Sequence, residues 1–303
     1  MESVHKTVLL KETIDGLNLP ASAQSGDSKK VVIDATFGGG GHALQVCKNY
    51  PDIKIIAIDQ DRSAIERGKE KMSGCNVTFL NQNFRELGDL QADAIIFDLG
   101  LSSDQLENSG RGFSFQKDEP LLMTMKSNPS EEYLTAKEIV NTWEEKNLAD
   151  IIYGYGEEKF SRRIAKAITE ARDKAEIKTT FDLVKIIERA VGRAYKRQKM
   201  HCATRTFQAI RIAVNDELGS LQEGLRKGFD SLNPGGRMAV ISFHSLEDRI
   251  VKRFYSAKGG SASGGQGNRE AKIITKKPIT PSTEEIKNNP RARSAKLRII
   301  QKT

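Results

Sequence analysis

Residues 31–42 combine a short β-branched run, an acid and four consecutive glycines, and this stretch constrains the fold more than any other. The run Val31-Val32-Ile33 ends at Asp34, and Gly38-Gly39-Gly40-Gly41 follow just before a helix-forming segment. The pattern predicts a strand, a tight turn and a helix N-terminus, because glycine tolerates positive φ and lets the main chain approach a ligand closely. Such a unit is typical of a doubly wound α/β fold.

A second apolar run, residues 53–58, ends in Asp59. This acid lies roughly 20 residues beyond the turn, where it can accept hydrogen bonds from the ribose of an adenosine cofactor. Asp34 precedes the turn, and a carboxylate there suits the ammonium of an amino-acid moiety better than a pyrophosphate. The two acids favour S-adenosylmethionine over a nicotinamide dinucleotide. The remaining alternative is an ordinary glycine turn of an α/β protein.

Strand and helix patterns alternate in the first part of the chain, which predicts a parallel sheet covered by helices. The predicted strands are 31–36, 53–59, 77–81 and 93–98, with helices at 42–49 and 62–72 between them. Residues 109–207 show much helical periodicity and little strand signal, so we predict a helical insertion there and a discontinuous main domain of residues 1–108 and 208–303. The last part predicts a helix at 206–231, a turn at 233–236, a strand at 237–242, a flexible loop at 259–265 and strands at 271–276 and 295–300.

The fourth predicted strand ends in Asp98, and Ser102 follows in the next loop. Ligands of open α/β sheets bind at this edge. An exocyclic amine on an aromatic ring, if one is the acceptor of a methyl group, is a poor nucleophile because its lone pair is delocalised into the ring. Hydrogen-bond acceptors from Asp98, Ser102 or a nearby carbonyl would position it, so both residues are candidate catalytic groups. The alternative is that Asp98 only caps the next turn.

Three later segments are rich in polar residues, and each has a functional and a structural interpretation. They are 201–208, 242–249 with His244 after a strand, and 289–296 with Arg291, Arg293 and Lys296. A further basic cluster comprises Arg193, Lys196, Arg197 and Lys199 around Tyr195, whose ring is available for stacking on a base. These cations suit RNA phosphates, and solvated basic surfaces are the equal alternative.

The composition narrows the class of protein further. The 303 residues carry a formal net charge of +8, which suits a polyanionic partner. No apolar run is long enough for a membrane span, the first residues lack a signal-peptide pattern, and we expect a cytoplasmic protein. Cys47, Cys75 and Cys202 lack metal-type spacing, so we expect reduced structural thiols and no metal.

Several motifs together resemble the MraW/RsmH family of bacterial 16S rRNA cytosine N4-methyltransferases. The matching stretches are HKTVLL at 5–10, TFGGGGH at 36–42, AIDQD at 57–61, FDLGLSSDQL at 97–106, RGFSF at 111–115, ATRTFQAIRIAVNDEL at 203–218, SFHSLEDRIVKRF at 242–254 and RARSAKLR at 291–298. They cover nearly the whole chain. One departure is Cys202, where the family usually has proline.

The resemblance implies a Rossmann-like class I methyltransferase domain with an inserted all-helical domain, which we expect to recognise the substrate. It implies S-adenosyl-L-methionine as cofactor and a cytosine in the decoding region of small-subunit rRNA as target. Carried over by position, the cofactor contacts are Gly40, Gly41, His42, Asp59, Phe84, Asp98 and Gln105. The oligomeric state is not determined, and a dimer remains open.

The expected reaction is attack of the cytosine amine on the activated methyl, with the base extruded from its stack. Two rival functions remain at this point. One is methylation of a protein or small molecule, and the other is an RNA-binding assembly factor with a vestigial pocket. Transfer of methyl to purified rRNA and binding of S-adenosylmethionine would discriminate among them.

Overall fold

The computed structural model describes residues 6–20, 30–127, 133–192, 195, 200–260 and 270–303. The chain forms two compact units: residues up to 102 together with residues from 218 onward, and residues 103–217. The predicted insertion, 109–207, falls inside the second unit. Among the described residues, no helix has the length and apolar composition that crossing a lipid bilayer requires.

The first unit contains all strands of the described residues and the helices that flank them. The strands are β1 Val31–Asp34, β2 Lys54–Ile58, β3 Val77–Leu80, β4 Ala92–Asp98, β5 Leu232–Ser242, β6 Ala271–Ile273 and β7 Lys296–Lys302. The helices up to residue 172 are α1 Leu10–Leu17, α2 Gly41–Asn49, α3 Arg62–Lys71, α4 Ser103–Glu107, α5 Ala136–Thr142, α6 Glu145–Gly154 and α7 Ser161–Arg172. They are followed by α8 Thr180–Ala190, α9 Thr204–Asn215, α10 Glu217–Ser231, α11 Ser245–Lys258 and α12 Thr283–Asn288.

The described strands form one sheet in the order β3-β2-β1-β4-β5-β7-β6. Neighbours from β3 through β5 are parallel, and β7 is antiparallel to both β5 and β6. Apolar residues line both faces: Ile96 packs with one buried cluster and Ile95 with the other, and neither is exposed. A sheet covered on both faces explains why its inner strands read as continuous apolar runs.

The second unit is built from α4–α9, and its helix starts follow local capping rules. Thr135 and Glu138 form a reciprocal capping box at α5, and Thr179 and Asp182 form another at α8. In each case the hydroxyl accepts an N–H of the first turn while the carboxylate accepts the N–H of the capping residue. These caps fix where the helices begin.

Three predictions about the last part of the chain are corrected. The helix predicted at 206–231 is two helices, α9 and α10, because Asp216 adopts φ +45° and ends the first. The strand predicted at 271–276 stops at Ile273, since the N–H groups of the next two residues both donate to the carbonyl of Ile299. The turn predicted at 233–236 lies within the bounds of β5, at the place where the pairing of β5 with β4 changes register.

The cysteine prediction is also wrong for two of the three residues. Cys47 on α2 and Cys75 before β3 form a disulfide with a Cα–Cα distance of 5.9 Å. Parallel pairing of β2 with both β1 and β3 brings these segments together, and the sequence spacing of 28 residues gave no sign of it. Cys202 is a buried free thiol. The loop predicted at 259–265 lies largely outside the described residues.

Candidate functional site

The candidate site lies at the carboxyl edge of the sheet in the first unit. Asp34 ends β1, Asp59 follows β2 and Asp98 ends β4. The three carboxyls are close enough to influence one another, since Asp59 raises the pKa of Asp34 and Asp34 raises the pKa of Asp98. Parallel strands β2, β1 and β4 bring these sequence-predicted acids to one place, because their carboxyl ends share an edge.

Gly40 and Gly41, at the end of the glycine loop between β1 and α2, have no room for side chains. Gly38 and Gly40 adopt φ +49° and +68°, a conformation that favours glycine. A Cβ on Gly41 would lie 1.7 Å from Oγ1 of Thr7. The N–H of Gly38 donates to Oδ2 of Asp59 over 2.7 Å. The main chain of the loop therefore lies directly beside the acid that follows β2.

The carboxylate of Asp59 is held in place by the main chain. Oδ2 accepts from Gly38 and Oδ1 accepts from the N–H of Asp61 over 2.8 Å. Asn81 donates to the carbonyl of Asp59 over 2.9 Å. Each carboxylate oxygen retains capacity for a further donor such as a ribose hydroxyl. Burial raises the pKa of Asp59 to about 6.

Asp98 is fixed by its main chain and flanked by acids. Its N–H donates to Oγ1 of Thr36 over 2.6 Å, and its Oδ2 lies 3.6 Å from Nδ1 of the buried His42. Within the described part of the chain, its buried Oδ1 has no hydrogen-bond partner. Burial above all, and then Asp34 and Glu247, raise the pKa of Asp98 well above its usual value.

Asp34 is the most deeply buried of the three acids. Only 2% of its surface is exposed, and burial raises its pKa to about 7 despite hydrogen bonds from the main chain of Thr36 and Ala43. Three carboxyls at one sheet edge therefore resist ionisation, and one of them has an unsatisfied buried oxygen. Such a group fits a ligand that brings positive charge and hydrogen-bond donors. A cofactor with sulfonium and ammonium groups meets this requirement.

The remaining site candidates have different surroundings. Ser102 lies in the loop after β4, with its Cβ 3.6 Å from where a Cβ of Gly38 would be. Phe84 follows β3, contacts Phe97 edge-to-face at 5.5 Å and packs on Gly224 of α10, so part of its ring belongs to the core. Gln105 lies on α4 in the second unit, partly exposed, and its carbonyl accepts the hydroxyl of Ser109.

Three residues that contribute to the edge escaped the sequence reasoning. Thr36 anchors the main chain of Asp98, Glu247 raises its pKa, and Thr7 contacts Gly41. Glu247 carried a usable signal, because the spacing of His244 and Glu247 is that of a capping box. Thr7 and Thr36 carried none beyond their place in the family motifs, since their contacts depend on packing.

The later polar segments have mainly structural contacts. Nδ1 of His244 caps α11, and its Nε2 lies 3.2 Å from Glu247. Tyr195 is buried and donates to Glu158 over 2.5 Å, so the prediction of a stacking ring is wrong. Lys296 pairs with Asp248 at 3.1 Å, whereas Arg291 and Arg293 are exposed. The rest of the basic cluster, Arg193, Lys196, Arg197 and Lys199, lies outside the described residues.

One further group in the second unit has the residue types of a metal site. Ligand atoms of Glu188, His201 and Cys202 lie within 4.8 Å of one another. Nδ1 of His201 accepts the N–H of Ala203 over 3.2 Å, so the neutral ring carries its proton on Nε2, the atom nearest Glu188. In that tautomer Nδ1 is occupied by the N–H of Ala203 and Nε2 is protonated, so neither ring nitrogen has a lone pair available for a metal.

The sheet order, the reversed β7 and the acids after β1, β2 and β4 define the class as a Rossmann-like methyltransferase. The family model described as the MraW methylase family matches residues 2–303. A curated relative, Ribosomal RNA small subunit methyltransferase H of Brevibacillus brevis, is 43% identical over 316 residues and 98% of each chain. The chain belongs to the MraW methylase family.

Solved structures are more distant. An rRNA methylase from Streptococcus thermophilus is 12% identical, with a TM-score of 0.41 over 91% of this chain and 88% of that one. A Streptococcus mutans protein in complex with SAH is 12% identical, with a TM-score of 0.45 over 98% and 99%. Because these TM-scores are below 0.5, the fold assignment rests on the strand order of this chain and not on these structures.

Proposed function

We propose that this chain uses S-adenosyl-L-methionine to methylate the N4 amine of a cytosine in the decoding region of 16S rRNA. Membership of the MraW methylase family along residues 2–303 supports this reaction. The name of the relative from Brevibacillus brevis supports an rRNA of the small subunit as substrate. The net charge of +8 agrees with a polyanionic substrate.

The observation that carries the proposal is the group of strand-end carboxyls beside the glycine loop. We assign Gly40, Gly41, His42, Asp59 and Asp98 to cofactor binding, with Phe84 and Gln105 as further contacts carried over from the family. Asp59 is the ribose acceptor, since the loop already orients its carboxylate. Asp34 and Asp98 supply negative charge toward the methionine end. When bound, S-adenosylmethionine supplies a methyl group activated by its sulfonium charge.

We assign Asp98 and Ser102 to orientation of the cytosine amine. An acceptor for its N–H groups directs the lone pair toward the methyl, and positioning of this kind supplies most of the rate when the cofactor is already activated. The main chain of Asp98 is held by Thr36, which limits its movement. Its unsatisfied buried oxygen is an acceptor that the amine would complete.

We assign the helical insertion to recognition of the RNA. On α7 the side chains of Arg162 and Arg163 are exposed on the face opposite the buried Ile164 and Ile168. Such cations contact phosphates without reading sequence. An enzyme with this substrate works where ribosomal subunits are assembled, which we take to be the cytoplasm.

The experiment is mass spectrometry of rRNA fragments after incubation with isotopically labelled S-adenosylmethionine, using 16S rRNA and intact small subunits in parallel. We expect one labelled cytosine in the decoding region. The matched control is the Asp98→Asn variant, which should bind RNA normally and label poorly. Label on a ring carbon of a base, on adenine or on protein would contradict the proposal. Cofactor binding without any methyl transfer to either RNA substrate would contradict it as well.

A further inference from the structure

The Cys47–Cys75 disulfide involves the helix that follows the glycine loop, and both of its residues are partly exposed. Cys47 is in α2, the helix that begins at the loop. Cys75 follows Gly74, whose φ of +87° closes the turn after α3. The bond therefore joins the helix that carries the loop to the segment between α3 and β3.

A second set of contacts connects the same α3 segment to the loop itself. Nζ of Lys71, in the last turn of α3, donates to the carbonyl of Gly39. The ring of Phe37 lies between Gly40 and Gly68 of α3, where a Cβ on either glycine would approach the ring within 2.4 Å. The glycine loop is thus connected to α3 directly, through Lys71 and Phe37, and a second time through α2 and the disulfide.

We propose that Cys47 and Cys75 form a reversible thiol–disulfide pair that controls the order of the glycine loop and hence cofactor affinity. The proposal rests on the proposed function, because an rRNA-modifying enzyme works in a reducing compartment, where protein disulfides are usually transient and redox-sensing. Lys48 and Lys71 are close enough to repel each other. Lys48 directly follows Cys47 in the chain, and a positive charge beside a cysteine favours its thiolate form, which speeds exchange.

A dithiol can act as the reductant of the Cys47–Cys75 disulfide. A thiolate of the dithiol attacks one sulfur, the S–S bond breaks, and the other cysteine leaves with the electron pair and takes a proton. The second thiol of the reductant then displaces the first cysteine. The products are two protein thiols and one reductant disulfide, and the reverse reaction restores the bond.

The test compares the full chain in oxidised and reduced form by two measurements. Hydrogen exchange of residues 37–49 requires no cofactor, and we expect faster exchange in the reduced form because α2 loses its link to α3. Calorimetry should show S-adenosylmethionine binding about threefold to tenfold more weakly in the reduced form. Alkylation in denaturant should count one thiol before reduction and three after it, since the chain has three cysteines and Cys202 is buried in the folded protein.

Matched variants separate this pair from general effects of reductant. Cys47→Ser should exchange like the reduced protein and no longer respond to redox state, whereas Cys202→Ser should respond like the parent chain. Equal exchange in the two forms of the parent chain would overturn the inference, as would an unchanged response in Cys47→Ser. Redox-dependent exchange without methyl transfer to rRNA would instead contradict the proposed function and leave the switch standing.

Discussion

Replacing Asp98 with asparagine should raise the stability of the protein while it lowers turnover. Asparagine keeps the shape of the side chain and removes its charge. The pKa of Asp98 is raised well above normal by burial, Asp34 and Glu247, so its ionised form is unfavourable in the free protein. Asparagine does not ionise, so it removes the cost of an ionised carboxyl at this position. A shift of one pKa unit corresponds to about 1.4 kcal/mol, and we expect a gain of that order in the free energy of unfolding.

The pH dependence of this gain follows from the direction of the shift. The unfolded chain ionises Asp98 near its ordinary pKa, while the folded protein retains the proton to higher pH. Ionisation therefore costs stability progressively as pH rises through that interval. The gain from Asp98→Asn should be smallest near pH 4 and largest above the raised pKa, where it corresponds to about 2–10 °C in Tm.

Turnover should change in the opposite direction. Asparagine replaces one acceptor oxygen of Asp98 with an amide donor, which cannot accept the N–H groups of the amine. Loss of a positioned acceptor costs roughly 10²-fold in rate. Single-turnover methylation at saturating S-adenosylmethionine separates this loss from weaker cofactor binding, and thermal unfolding at several pH values measures stability. Two results would refute the reasoning: a variant less stable than the parent at every pH, or a rate that recovers fully at saturation, which would leave Asp98 a binding role only.

Three further outcomes are expected. Asp59→Ala should weaken S-adenosylmethionine binding by about 1.5–3 kcal/mol in calorimetry, because a charge-assisted bond is lost, and unchanged affinity in the folded variant would reject the ribose assignment. Gly41→Ala should destabilise the protein by about 1–3 kcal/mol in denaturant unfolding, since its Cβ would lie 1.7 Å from Thr7, and Thr7→Ala should recover part of the loss. Affinity for S-adenosylmethionine should rise from about pH 5.5 to about pH 8 more than affinity for S-adenosylhomocysteine, which lacks the sulfonium. The reason is that a cation favours the ionised form of Asp34, whose pKa is about 7 in the free protein. Parallel curves of affinity against pH for the two ligands would contradict this.

The strands of the first half were predictable because their signals are local. Residues 31–34 and 54–58 are apolar runs that end at an acid or a turn, and burial on both faces of the sheet requires such runs. The break at Asp216 was not predictable, because the helical periodicity continues across it. Asp adopts positive φ more readily than most non-glycine residues, but the residue type alone does not indicate at which Asp a helix will end.

The residues of the candidate site likewise fall into those that the sequence indicated and those that only the structure brought to the site. The sequence indicated Asp59 and Asp98 through their places after strands, and it indicated the glycine loop through composition. It gave no indication that Thr36 holds Asp98 or that Glu247 lies near enough to raise its pKa. Such contacts join segments far apart in the chain, and pairing of β4 with β1 and β5 brings them together.

The sequence by itself determined the alternating α/β pattern, the glycine turn and the family, because each depends on residue types at fixed local spacing. Only the tertiary structure decided which carboxyls resist ionisation, that Cys47 lies beside Cys75, and that Tyr195 is buried. Burial and electrostatic coupling are properties of distance in space. Distance in space between remote segments is set by strand order, which composition and periodicity do not encode.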